Sequence, residues 1–412
     1  MSRHHLNTGS VSRRDDFDEM TPPQMQKRIV HLTTVHRRDD TRILLKEVST
    51  LAQADQWSLT LVVADGKGAA THESAGILVA VEDIGRLPWG RPGRAILGAW
   101  RAVREVRRLK ADVVHFHDPE LILTGVALKL FGHKVIYDVH EDVRRDILKK
   151  PWLPRILRQP TAWIMSLIEW LAAKAFDAIV PATAKIAERF PPHKTVVVQN
   201  FPILRELAVP DPVPYPERPS AFAYVGAIGT IRGAIDMVRA FEILTDMPEA
   251  RLELAGEFSP QGLHHALRTL PGWASVHFLG RVSRDHVARI LGRARAGLVL
   301  SHPDPNYANG QPIKMFEYMS AGIPVIASDF PLWREIIDGA DCGLLVDSAN
   351  PHAIAEGMRW ILVHPTEAEA MGQRGRRAVE RIYNWESESA KLVALYERLL
   401  PERPSDGPFL SN

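Results

Sequence analysis

From Arg28 onward the chain alternates short apolar runs with longer stretches in which apolar residues return every three or four positions. Ile29–Val35 is the first run, and Thr41–Ala54 follows as a helix with Leu44, Leu45, Val48 and Leu51 on one face. Leu59–Ala64 is a second run, and Ala95–Leu109 reads as a basic amphipathic helix. Val113–Phe116, Val135–Val139, Ala178–Val180 and Thr195–Val198 are further runs, each next to helical pattern. Runs that are apolar throughout, rather than alternating, suit strands covered on both faces, so a parallel sheet between helices is expected. Residues 209–220, VPDPVPYPERPS, carry five prolines in twelve positions and read as a linker. The alternation then restarts with Phe222–Val225, a helix to Leu244, Leu252–Ala255, Val276–Leu279, Leu298–Leu300, Ile323–Ala327 and Leu344–Val346. Trp385–Leu400 adds one more helix. The expectation is an α/β chain of two domains, 28–208 and 221–384, with a closing segment 385–412.

Composition narrows this picture. At 412 residues the chain can bury two cores, and 45% hydrophobic with 24% charged residues is ordinary for a globular protein. A net charge of +2 argues against general nucleic-acid binding, so any basic surface is local. The single cysteine, Cys342, forms no internal disulfide, points to a reducing compartment and sits in an apolar run that reads as core. Residues 1–27 are polar and charged, lack the apolar segment of a signal peptide and read as a disordered tail. Their Asp16-Phe17-Asp18 matches a D-x-D metal motif only formally, because no strand leads into it. The longest apolar region, Trp163–Ala182, is interrupted by Glu169, Lys174 and Asp177 before it reaches the length of a membrane span. A cytoplasmic protein is expected.

In sheets of this kind ligands sit beyond the carboxyl ends of strands, which directs attention to the loops there. Asn309–Asp329, NGQPIKMFEYMSAGIPVIASD, is the most informative stretch. Pro312 suits a helix start, Gly322 suits its left-handed stop, and Lys314 and Glu317 fall on one side of the helix between them. A helix N-terminus with an added lysine favours phosphate, and a carboxylate one turn on accepts hydrogen bonds from sugar hydroxyls. Together they suggest a nucleotide site. After the first strand, His36–Arg42 offers Arg38 and Asp40 to an acceptor or phosphate, unless Asp40 merely caps the following helix. After the strand Val113–Phe116, His115 and His117 share a face; an H-x-H pair can ligate zinc, but no further ligand stands at a recognisable spacing. His140, ending the next strand, can donate to a developing oxyanion. Gly226-Ala227-Ile228-Gly229-Thr230-Ile231-Arg232-Gly233 lets backbone approach a phosphate with Arg232 alongside.

The Pro312–Asp329 block resembles the donor-site signature of retaining glycosyltransferases of family 4, and the resemblance extends over nearly all of residues 28–400. It implies a GT-B fold, with two Rossmann-like domains facing a cleft, the first for acceptor and the second for a UDP- or GDP-sugar. It implies transfer of a sugar to a hydroxyl of a glycan or polyprenyl-linked acceptor with retention of configuration, in cell-surface polysaccharide synthesis, without a metal or other cofactor. Glu317 matches the family's ribose-binding glutamate, while Asn309 stands where the family has its first glutamate. Gly226, Gly229, Arg232, Val282, Asn309, Lys314 and Glu317 are then donor contacts, with Val282 in the segment that reads the base. His140, Arg232 and Lys314 are the catalytic candidates, and Arg38, Asp40, His117, Asp118 and Glu120 the acceptor candidates. Ala227 and Arg232 replace the arginine and lysine that relatives carry in the glycine-rich loop.

Lys149–Leu171 interleaves Lys149, Lys150, Arg155 and Arg158 with Trp152, Trp163 and Trp170. This composition suits peripheral contact with an anionic membrane, at the inner face of the plasma membrane, as well as it suits a packed helix with a charged outer side. Two alternatives to a transferase stay open on the sequence: a sugar-nucleotide epimerase, and a nucleotide-sugar-binding protein without activity.

Overall fold

The protein is described from a computed structural model covering residues 26–74, 76–87, 97–148, 150, 153–206 and 212–401. Its strands form two separate sheets. The first holds β1 (Lys27–Leu32), β2 (Trp57–Val63), β3 (Ala70–Ser74), β4 (Ile77–Asp83), β5 (Val113–Phe116), β6 (Lys134–Val139) and β7 (Ala178–Pro181), in the order β3-β4-β2-β1-β5-β6-β7. The second holds β8 (Ala221–Val225), β9 (Arg251–Ala255), β10 (Val276–Gly280), β11 (Ala296–Val299), β12 (Val325–Ser328) and β13 (Gly343–Val346), in the order β10-β9-β8-β11-β12-β13. All neighbouring strands run parallel except β3 with β4. Strand order reverses between β1 and β5 in one sheet and between β8 and β11 in the other. Those switch points open crevices at the strands' carboxyl ends.

The apolar pattern located these strands because most are buried on both faces; β5, β7, β11 and β12 are buried at every position. It missed the β3–β4 hairpin, whose first strand, ATHES, is polar. Thr195–Val198, expected as a strand, instead lies beside β7 with one isolated bridge, Ile179 to Thr195. Val196 and Val198 donate their N–H groups to Ile179 and Pro181, but Pro181 has no N–H to return. Lys27, assigned above to the tail, already belongs to β1; residues 1–25 lie outside the described residues. Of the proline-rich run, 212–220 is packed on the second domain rather than slack. Tyr215 is buried there, its hydroxyl donating to Arg295 O at 2.7 Å, and Arg218 donates to Ala294 O at 3.0 Å.

The helix Trp385–Leu399 crosses from the second domain to the first. Asn384 caps it by accepting from Ser387 N at 2.8 Å. Trp385, Leu392, Leu395 and Tyr396 are buried among Ile29, Val48, Leu51 and Val113 of the first core. The indole N–H of Trp385 donates to Thr50 Oγ1 at 2.9 Å. Removing this anchor, Trp385→Ala, is expected to cost about 3–5 kcal/mol and to lower the first domain's unfolding midpoint in urea. An unchanged midpoint would show that the helix does not hold that domain.

Candidate active site

The second domain builds its half of the cleft around β8. Beyond Val225 the chain turns at Gly226, whose φ of +122° is a conformation side-chain-bearing residues rarely adopt. Thr230–Arg232 make one 3₁₀ turn, and Gly233 then reverses direction at φ +69°. A Cβ on Gly233 would come within 2.1 Å of Leu300 O, so only glycine lets this loop lie against the end of β11.

Across the loop stands the helix Ile313–Ser320, entered through Pro312 and closed by Gly322 at φ +69°. Lys314 Nζ sits 3.6 Å from the centroid of the Tyr224 ring and would be 3.3 Å from any Cβ at Gly226. Burial, then the nearby Arg232, push the Lys314 ammonium well below the usual lysine range. A dry lysine of this kind is stabilised by an arriving anion. Arg232 donates to Ala227 O at 3.1 Å and lies 5.7 Å from the Tyr307 ring. Glu317 is buried and accepts from Arg284 Nη2 at 2.8 Å, while Arg284 Nε reaches Glu206 Oε1 at 2.6 Å. Gly226, Arg232, Lys314 and Glu317 line one cavity of about 400 Å³, with Thr41 reaching in from the first domain. That size holds a small ligand.

A second cavity, of about 470 Å³, adjoins it and shares Arg232, Tyr307 and Gly310. Its walls come from both domains: His140 and Asp142 from one, Arg232 and Asn309 from the other. His140 is half-buried and its Nε2 is bonded to Asp138 Oδ2, which leaves Nδ1 for a ligand. Asp138 is fully buried and also receives Arg42 Nε at 3.1 Å, Arg42 Nη2 at 2.7 Å and His117 Nδ1 at 2.9 Å. Burial alone would raise its pKa, but Arg42 and the two histidines hold it well below the usual carboxylate range.

The structure thus gathers His140, Gly226, Arg232, Asn309, Lys314 and Glu317 into adjoining spaces. Other expected contacts lie elsewhere. His117 and Asp118 are buried, which does not fit acceptor contact. Asp118 is the anchor of the loop after β1, accepting from Thr33 Oγ1, Thr34 N, Thr34 Oγ1 and Val35 N. Asp40 caps the helix at Thr41 by accepting from Arg42 N and Ile43 N; against the opposing effect of burial, His36 and then the Ile43 N–H lower its pKa to about 2. Arg38 pairs with Asp65 at 2.6 Å and also donates to Gly68 O. Glu120 lies half-exposed in the 3₁₀ turn Pro119–Leu121. Gly229 has extended backbone and Val282 packs on the second core; neither lines the two cavities. Arg284, Asp138 and Tyr307 were not foreseen as site residues. Arg284 opens a helix capped by Ser283 just after β10, and that cap was the available signal.

The halves of the chain match separate family models: residues 45–200 a glycosyl transferase 4-like domain, residues 210–378 the glycosyl transferases group 1. An MMP alpha-(1->4)-mannosyltransferase of Mycolicibacterium hassiacum is 23% identical over 73% of this chain and 74% of its own. Among solved structures, the sucrose-phosphate synthase of Thermosynechococcus elongatus superposes with a TM-score of 0.70 at 18% identity, over 91% of this chain and 99% of that one. Anabaena Alr3699/HepE in complex with UDP-glucose gives 0.65 at 12% identity, over 90% and 99%. With both halves matched and both sheets in place, the chain belongs to the group 1, family-4-like glycosyltransferases and has their GT-B fold.

Proposed function

We propose that the protein transfers a sugar from a UDP- or GDP-sugar to a hydroxyl of a glycan or polyprenyl-linked acceptor with retention of configuration. The observation that carries this reading is the convergence of Lys314, Arg232 and Glu317 on one cavity. Two cations beside a helix start suit a diphosphate, and a carboxylate one turn on suits ribose. The UDP-glucose complex of HepE supports a nucleotide-sugar donor, and the mannosyltransferase relative supports hexosyl transfer. The barrier lies in expelling the nucleoside diphosphate as an oxocarbenium-like sugar forms. Lys314, Arg232 and the N-terminus at Pro312 neutralise the growing phosphate charge, the role a divalent cation has in other transferases. His140, across the cleft, steadies the sugar or its phosphate. The acceptor hydroxyl attacks on the face the diphosphate leaves, passing its proton to the departing phosphate oxygen.

The helix Arg155–Ala175 supports a membrane-bound acceptor. Its apolar stripe points outward: Ile156 is 83% exposed and Trp163 62%, with Ile164, Leu167 and Leu171 on the same side. Lys150, Arg155 and Arg158 lie beside it; Lys149 and Trp152 fall outside the described residues. No helix of the described residues is long and apolar enough to cross a membrane. We read the segment as resting on the inner face of the plasma membrane.

Glu317→Gln should weaken nucleoside-diphosphate binding by about 1.5–3 kcal/mol, measured calorimetrically, and leave inorganic pyrophosphate binding unchanged. Equal losses for both ligands would remove the ribose assignment. Arg232→Ala and Lys314→Ala should each lower kcat roughly 10²-fold, with smaller effects on donor affinity. Initial rates should be the same with EDTA in the assay; loss of activity restored by magnesium or manganese would reject metal-free departure. In vesicle co-sedimentation, the chain should bind anionic liposomes at low salt and release them as salt rises. Replacing Lys149, Lys150, Arg155 and Arg158 by glutamine should abolish this at about 1 kcal/mol per cation; equal sedimentation would make the helix an ordinary surface.

A further inference from the structure

His115 of β5 and His117 just beyond its end share one face, and the sheet register sets His31 of β1 directly beside His115. The helical segment Thr41–Val48 packs over them and contributes Glu47. All four side chains are fully or almost fully enclosed. One ligand-capable atom from each lies within 4.8 Å of the others. His31 Nδ1 is 3.0 Å from His117 Nε2 and 4.0 Å from Glu47 Oε2. Around a tetrahedral zinc with bonds of ~2.0–2.1 Å, ligand atoms stand ~3.3–3.4 Å apart, within that spread.

The surroundings also match those of a metal site. His117 holds Asp138 through Nδ1 at 2.9 Å. Tyr396 Oη is 3.2 Å from His31 Nε2 and 2.9 Å from His115 Nδ1. Ring nitrogens turned away from a metal are held in this manner by carboxylates and other outer groups. What the hydrogen bonds leave over lies within the cluster: both carboxylate oxygens of Glu47 and Nε2 of His115 have no hydrogen-bond partner. Arg42 Nε approaches Glu47 Oε1 at 3.0 Å, but its guanidinium is shared with Asp138, so one cation faces two buried carboxylates. Native interiors rarely tolerate such unsatisfied groups.

We infer that His31, Glu47, His115 and His117 bind a structural Zn²⁺ ion in the core of the first domain, behind the wall of the cleft that carries His140. Three imidazoles and one carboxylate are a borderline-soft set that zinc accepts. The ion would pin β1 and β5 to the helix above them and balance Glu47. It is separate from the donor cavity, and its enclosure keeps it in place during a short assay containing EDTA.

The test uses the full chain and does not depend on sugar transfer. After exposure to Zn²⁺ and dialysis against metal-free buffer, the protein should retain about one equivalent of zinc by elemental analysis. Co²⁺ in its place should give the intense visible bands of a four-coordinate site. Glu47→Gln and His115→Gln should each lower Zn²⁺ affinity at least about ten-fold and weaken those bands. Because a core variant can fail to fold, the unaltered chain is also refolded from denaturant with Zn²⁺, with Mg²⁺ and with neither. Only Zn²⁺ should raise the thermal midpoint. Retention of less than about a tenth of an equivalent by the unaltered chain, equal midpoints in the three refolded samples, or a Co²⁺ spectrum unchanged in a folded Glu47→Gln protein would each overturn the inference.

Discussion

The carboxylate of Asp138 is the interaction on which the first domain's side of the cleft depends. It sits at the end of β6, fully buried, and gathers Arg42, His117 and His140 from different segments. An ionised carboxylate in a dry interior is tolerable only with this density of donors. The same bonds that keep it charged fix the rotamer of His140. They also fix Arg42, which reaches on to Val198 O at 2.9 Å and so holds the segment beyond β7. His140 therefore meets the second domain from a rigid base, although it stands on a loop.

The opposite wall works by different means. There the close approach is made by glycines, at Gly226 and Gly233, and the charge by Lys314 and Arg232. Lysine over the face of Tyr224 gives a fixed position to a side chain that would otherwise be mobile. One wall is organised by a buried anion and the other by the cationic side chains of Lys314 and Arg232. A ligand bridging the two meets complementary fields.

Much of the fold could be read from the sequence, because doubly covered strands leave apolar runs that survive without any tertiary information. β5, β8 and β13 were found nearly to the residue, whereas β3 was lost because a polar edge strand looks like a loop. That Lys314 and Glu317 meet at one cavity was legible for a related reason: Pro312, Lys314, Glu317 and Gly322 act through local helix geometry. The acceptor side was not. His117 and Asp118 follow β5 directly, but both are buried, Asp118 under the loop after β1 and His117 against Asp138, and no spacing rule carries that information. Glu47 and His31 could be placed beside His115 only once strand order was known. Arg284 escaped because its partner Glu317 lies 33 residues away.

The helix Trp385–Leu399 has a consequence for how the chain acquires its shape. Domains are usually completed in the order in which the ribosome delivers them. Here the first core is missing Trp385, Leu392, Leu395 and Tyr396 until almost the whole chain has emerged. The domain made first is therefore finished last. During synthesis of the second domain, the apolar faces of β1 and the helix at Thr41–Gln53 wait uncovered, and a ribosome that stalls before Trp385 releases a chain with that surface open to aggregation.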